Sequence, residues 1–285
     1  MFLGITTLRM INYFRKDETF PKIKDAILLC LLFIGIASAT GFIAYAIELS
    51  NIYSIPGLLL VITPSAIIIY ICWKKTNISF KQLFQYKNIP FSFICYATLF
   101  TIGFVIFAEE INNIIYYISP STSIDGYYNS RETLIKLNPI IAFISICIIP
   151  AFSEEIIFRG FFISGFKNHY SMKKAIIAGA IIFGLIHIDP RNIIPSFFLG
   201  LFLGWIFYKT ESIVLCVYVH LLYNFVYLFR VLFPDVATFE GYNSPYGPNR
   251  WFLPIWVDII GIALMIHGIF FFKNKFDSKT EKENI

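Results

Sequence analysis

Three short patterns place ionisable and hydrogen-bonding side chains inside stretches that are otherwise apolar. Glu154, Glu155 and Arg159 lie in the run Pro150-Ala151-Phe152-Ser153-Glu154-Glu155-Ile156-Ile157-Phe158-Arg159-Gly160. Phe183 and His187 bracket Gly184-Leu185-Ile186, and His220 and Asn224 bracket Leu221-Leu222-Tyr223. In hydrocarbon an ionisable group costs about 2.5–3.5 kcal/mol near the bilayer centre on insertion scales, so each one calls for a partner or a task. A spacing of four puts each pair on one helix face, and the acid-first order of Glu155 and Arg159 favours an ion pair. Glu154 is turned about 100° from Glu155, so the two acids have different jobs: one holds Arg159 while the other faces a cavity.

Taken together, two acids, two histidines and an asparagine make an inventory for hydrolysis. Amide cleavage needs a base to activate water and donors to meet the oxyanion. Glu154 is the candidate base and His187 can share its water. His220 and Asn224, aligned on one helix face, can donate to the carbonyl oxygen, and Glu155 with Arg159 forms a structural pair. Each pattern alone also has a plainer reading: a snorkelling helix end for 154–159, interhelical hydrogen bonding for His220 and Asn224, a helix-end imidazole for His187.

Other hydrolase designs fit less well. Tyr170, Ile188, Leu221 and Gly268 follow the four histidines, so no HExxH zinc motif exists, and no GxSxG elbow occurs. Only Asp189 and Asp258 are placed for an aspartyl dyad, one at a helix break and one read as interfacial. Glu154, His187 and His220 are a possible ligand set for a divalent metal such as zinc. No metal or other cofactor is expected, because Glu154 and Asn224 have uses without one.

The elements that must position these residues are membrane spans. Of the 285 residues 57% are hydrophobic and 14% charged, against about 25% charged in a soluble domain. The net charge of +5 contains no basic block, which excludes a nucleic-acid binder. The five cysteines stand singly in apolar runs and read as packing residues. Segments of about 20 apolar residues span a bilayer; eight qualify or nearly do, near 27–47, 55–73, 91–108, 139–166, 174–188, 193–208, 212–233 and 252–272. The fifth and sixth are short, separated by Asp189-Pro190-Arg191-Asn192. Seventeen Lys and Arg fall in the loops of one side and five on the other, which places both termini in the cytoplasm. The first span has the three parts of a signal peptide but runs unbroken to Ile47, so it reads as an uncleaved anchor. The chain is thus a single all-α, polytopic membrane domain over 1–285, with its motif-bearing core at 139–233 and a catalytic cavity between helices. The fifth helix is expected to end inside that cavity at Asp189-Pro190, bringing His187 to Glu154.

The ordered set Glu-Glu-x-x-x-Arg, Phe-x-x-x-His and His-x-x-x-Asn resembles the CAAX prenyl endopeptidase type II family, also called the CPBP or Abi family, whose bacterial members include bacteriocin-immunity and lysostaphin-resistance-like proteins. The resemblance implies an intramembrane endopeptidase in which Glu154 and His187 activate water while His220 and Asn224 form the oxyanion hole. The family has been called both metalloprotease and glutamate-dependent protease. It implies a membrane-associated or lipid-modified substrate, a lipid setting, and a bacterial cell membrane as location. The alternative is a non-catalytic membrane protein for bacteriocin immunity or scaffolding, in which the same residues are helix glue.

Overall fold

The computed structural model describes residues 17, 19–47, 52, 54–76, 89–118, 134–233 and 252–283. The loop residues 119–133 and 234–251 lie outside that set. Among the described residues all regular structure is helical: α1 (Ile23–Ala46), α2 (Ile55–Lys75), α3 (Phe91–Ile118), α4 (Pro139–Phe166), α5 (Met172–Leu185), α6 (Pro190–Thr210), α7 (Ile213–Leu232) and α8 (Ile255–Glu283). Seven of them are long and apolar enough to span a bilayer, which makes this an integral, multi-pass membrane protein. The exception corrects the expectation of eight full spans. With 14 residues α5 is only about 21 Å long.

Two other boundaries differ from the sequence reading. The third helix does not stop at 108 but continues ten residues further, because both acids that seemed to end it are satisfied within the fold. Glu109 is buried against Arg230 of α7, and Glu110 accepts from the Asn113 side chain (3.1 Å) and the Leu253 backbone (3.0 Å). The sixth helix is not short: Asp189 caps it by accepting from the Arg191 N–H at 3.0 Å, and Pro190 occupies its first turn. What reads as a helix break is therefore a helix start, since proline is favoured where no N–H is required. A tight link with Glu211 left-handed (φ 52°) and Ser212 capping the next helix joins α6 to α7.

Alternating direction survives the short helix. Gly184 of α5 faces Ile193 of α6, Ala180 faces Gly200 and Ile176 faces Gly204, so the two run antiparallel. A methyl on Gly200 would sit 3.0 Å from the Ala180 Cα, and this closeness lets the pair pack as a hairpin. Helix α4 runs antiparallel to α7, with Glu155 opposite His220 and Ile146 opposite Asn224. Helix α3 runs parallel to α7 on three contacts: Thr98 with Tyr218 at 2.6 Å, the Phe104 and Tyr223 rings at 5.6 Å, and Glu109 with Arg230 at 2.7 Å. It is antiparallel to α8, where a methyl on Gly103 would run into the Gly261 carbonyl.

One end of the bundle collects the lysines. The Asp17 N–H donates to the Lys75 carbonyl (2.8 Å), Pro21 packs on Gly165, and His169 Nε2 donates to the Thr19 carbonyl (2.8 Å). Asp17, Thr19 and Pro21 thus tie α1, α2 and the α4–α5 turn together, and Lys209 at the end of α6 lies over the Phe276 ring. The Thr19 hydroxyl and N–H both donate to Asp17 and hold its carboxyl below the ordinary value.

Candidate active site

The interior of the motif-bearing core is built on α4, which is not a uniform α-helix. Ile144–Ile148 and Ile156–Ile163 take π-helical i→i+5 bonding, flanking a short α segment, Ile149–Glu155, that ends on the acid pair. Such bulges shift the helix face and are frequent at functional sites. The first has a visible chemical cause and effect. Pro150 has no N–H to offer the Ile146 carbonyl four residues back, and Asn224 Nδ2 donates to that carbonyl at 3.1 Å.

One helical turn inward, Glu155 is fully buried. Its Oε1 accepts from Arg159 Nη1 and from His220 Nδ1, each at 2.8 Å. Arg159, 1% exposed, also donates from Nη2 to the Gly200 carbonyl at 3.2 Å, and its guanidinium stands 4.9 Å from the Phe183 ring centroid. A charge this deep persists only when paired and hydrogen-bonded, and the Glu155 contact does both.

Glu154 is placed differently. Its side chain keeps 17% exposure, its buried Oε2, like that of Glu155, has no hydrogen-bond partner among the described residues, and His220 Nε2 stands 3.9 Å away. That is too long for a direct hydrogen bond. His220, nearly buried, therefore stands between the two acids: one ring nitrogen bonded to Glu155, the other turned toward Glu154.

Phe183 is the hub of the remaining contacts. Its ring meets His187 edge-on (centroids 5.2 Å), His220 edge-on (5.8 Å) and Phe158 (4.9 Å). His187 Nδ1 donates to the Phe183 carbonyl at 2.7 Å, a bond that leaves Nε2 as the ring nitrogen available to other groups. His187 follows the end of α5, and Ile188 after it turns left-handed (φ 61°) into the Asp189 cap. Glu154 and His187 share no direct hydrogen bond or ion pair among the described residues. The structure thus joins Glu154, Glu155, Arg159, Phe183 and His220 through one chain of contacts, reaches His187 through Phe183, and anchors Asn224 one level away on the Ile146 carbonyl.

Among the described residues no three His, Cys, Asp or Glu side chains converge as a ligand set for one metal ion. Glu154, His187 and His220 are not drawn together as such a group, although the bonds made by His187 Nδ1 and His220 Nδ1 leave each ring's Nε2 outside them. The other polar groups fall into plain places. His267 packs on Tyr96, His169 sits in the α4–α5 turn, and none of the five cysteines forms a disulfide. The buried pair Glu109 and Arg230 went unread in the sequence, and its signal was an acid pair inside what is a continuous apolar helix.

Comparison with known proteins finds a likeness in this core. Residues 136–226 match the family model described as Type II CAAX prenyl endopeptidase Rce1-like. All three motifs lie inside that stretch, which covers less than half of the chain, and the match agrees with the resemblance they carry. No curated protein and no solved structure matches the chain.

Proposed function

We propose that this protein is an intramembrane endopeptidase in which Glu154 activates water and His220 with Asn224 stabilises the oxyanion. The observation that carries the reading is His220 held between two unlike carboxylates: bonded at 2.8 Å to Glu155 and standing 3.9 Å from Glu154, whose Oε2 is unpartnered. Glu154 takes a proton from water as the water oxygen bonds to the scissile carbonyl carbon. It then returns that proton to the leaving amine as the C–N bond breaks. With Nδ1–H engaged by Glu155, His220 donates from Nε2 only when the ring carries both protons. The buried charges then balance, two carboxylates against one guanidinium and one imidazolium. Asn224 spends one amide hydrogen on Ile146 and retains a second for the oxyanion. His187 enters through Nε2, as a second acceptor for the water.

The substrate of this reading is a membrane-associated or lipid-modified peptide. The lysine-rich end of the bundle faces the cytoplasm by the positive-inside rule, so both ends of the described chain lie there. The hydrolysis needs no metal, and a chelator leaves it unchanged.

The deciding experiment is turnover of a peptide library by the purified protein in proteoliposomes, beside Glu154→Gln. The substitution keeps shape and removes basicity, and a rate loss of about 10²–10⁴ is expected for a general base. Equal rates in two folded proteins would overturn the assignment. A scaffold or immunity reading draws on the interhelical bond from Asn224 to the Ile146 carbonyl, which is also what helix glue looks like. In that case Glu154→Gln preserves the membrane phenotype and neither protein cleaves peptide.

A further inference from the structure

Between α2 and α4 lies a groove of about 550 Å³, within the range of about 300–1,000 Å³ usual for small-molecule sites. Its α2 wall includes Ile62, Ala66, Ile69 and Trp73, and its α4 wall includes Ile149 and Phe152. From Ile62 to Trp73 the helix rises by about 16 Å. That is the hydrocarbon depth of one leaflet, half of the roughly 30 Å core.

The groove has a polarity along this length. Its upper end is marked by Tyr70 and Trp73, residue types that sit at the headgroup level. Lys74 Nζ lies over both rings, 5.6 Å and 5.1 Å from their centroids. Among the described residues no carboxylate pairs with Lys74. Below, the walls are hydrocarbon, and on α4 they run through Phe152 and Ser153, the residues just before Glu154. A furrow one leaflet deep, apolar below and cationic at the interface, matches one molecule's two halves.

We propose that this groove binds one acyl chain of an anionic phospholipid from the lysine-side leaflet, with its phosphate at Lys74. The charge at the mouth selects against zwitterionic lipids, and the one-leaflet length selects a chain entering from that side. The bound chain lies along the α4 wall at Ile149 and Phe152, so lipid occupancy and the entry of any other chain between α2 and α4 exclude one another. This site does not depend on the peptidase reading, because its occupancy is measurable without turnover.

The test is native mass spectrometry of the purified full chain titrated with phosphatidylglycerol, phosphatidylcholine and inorganic phosphate. Phosphatidylglycerol is expected to bind about fivefold more tightly than phosphatidylcholine, the factor corresponding to ~1 kcal/mol for one lysine near an anionic surface. Lys74→Gln, an exposed change that leaves the core intact, removes that preference. Ala66→Trp, which fills the groove from its open side, reduces binding of both lipids, and inorganic phosphate displaces neither. Three results would overturn the proposal: equal affinity for the two lipids, binding indifferent to Ala66→Trp in a protein of unchanged Tm, or displacement by phosphate alone. The first two would mean an unselective lipid shell and the third an anion site without a chain.

Discussion

Glu154 and Glu155 are neighbours in the chain and opposites in environment. Glu155 has no exposure and accepts from Arg159 Nη1 and His220 Nδ1 through one oxygen, so it is committed to holding those two groups. Glu154 keeps 17% side-chain exposure, and this partial access, rather than an unpartnered oxygen that both acids have, is what fits it to the base of the proposed reaction. The division follows from the helical angle between them and was legible in spacing, as was the Glu155–Arg159 contact four residues on. The tie from Glu155 to His220 was not, since it joins positions 65 apart and depends on how α4 and α7 meet. Arg159 carries the clearest prediction at this scale. Arg159→Ala leaves a buried carboxylate with its main partner gone, and a loss of about 3–5 kcal/mol is expected. Equilibrium unfolding in detergent measures it, and a loss under about 1 kcal/mol would mean that water reaches Glu155.

Helix α4 shows why an element cannot be read as a ruler. Its length of 28 residues was legible from hydropathy, but two π segments change which faces its residues present. The local signal was available in Pro150, which frees the Ile146 carbonyl. The recipient of that freed acceptor, Asn224, was not, because it comes from another helix. Asn224 is thus anchored by one amide hydrogen and aimed with the other. If the aim is the oxyanion, Asn224→Ala lowers kcat by about 10²–10³ with little change in KM. Single-turnover kinetics reads this directly, and a fall in Tm with kcat preserved would leave Asn224 as packing alone. Helix α6 teaches the complementary lesson: Asp-Pro reads equally as a break or as a cap with its first turn, and only the Asp189 side chain accepting from Arg191 decides between them.

At the scale of the whole molecule, α7 is held from two sides. The acid pair of α4 engages one face through His220, and α3 holds another through Tyr218, Tyr223 and Arg230. The alternation of direction was read from lysine distribution, and the parallel run of α3 and α7 agrees with it. The Glu109–Arg230 clamp was hidden because the third segment was ended at its first acid and Arg230 was counted as a loop charge. One dimension of the bundle also reaches beyond the protein. Along α5, Ile177, Ile181 and Leu185 are 39%, 45% and 58% exposed, an oily stripe on a helix about 9 Å shorter than a typical hydrocarbon core. The surrounding acyl layer must pinch inward there, at a cost of fractions of a kcal/mol for each ångström of mismatch. Reconstitution across a series of monounsaturated lipids should therefore show turnover highest in 14-carbon bilayers and declining toward 22 carbons, and a flat series would mean that neighbouring helices shield α5 from the strain. Membrane thickness would then be a rheostat for the proposed activity, set through the undersized α5.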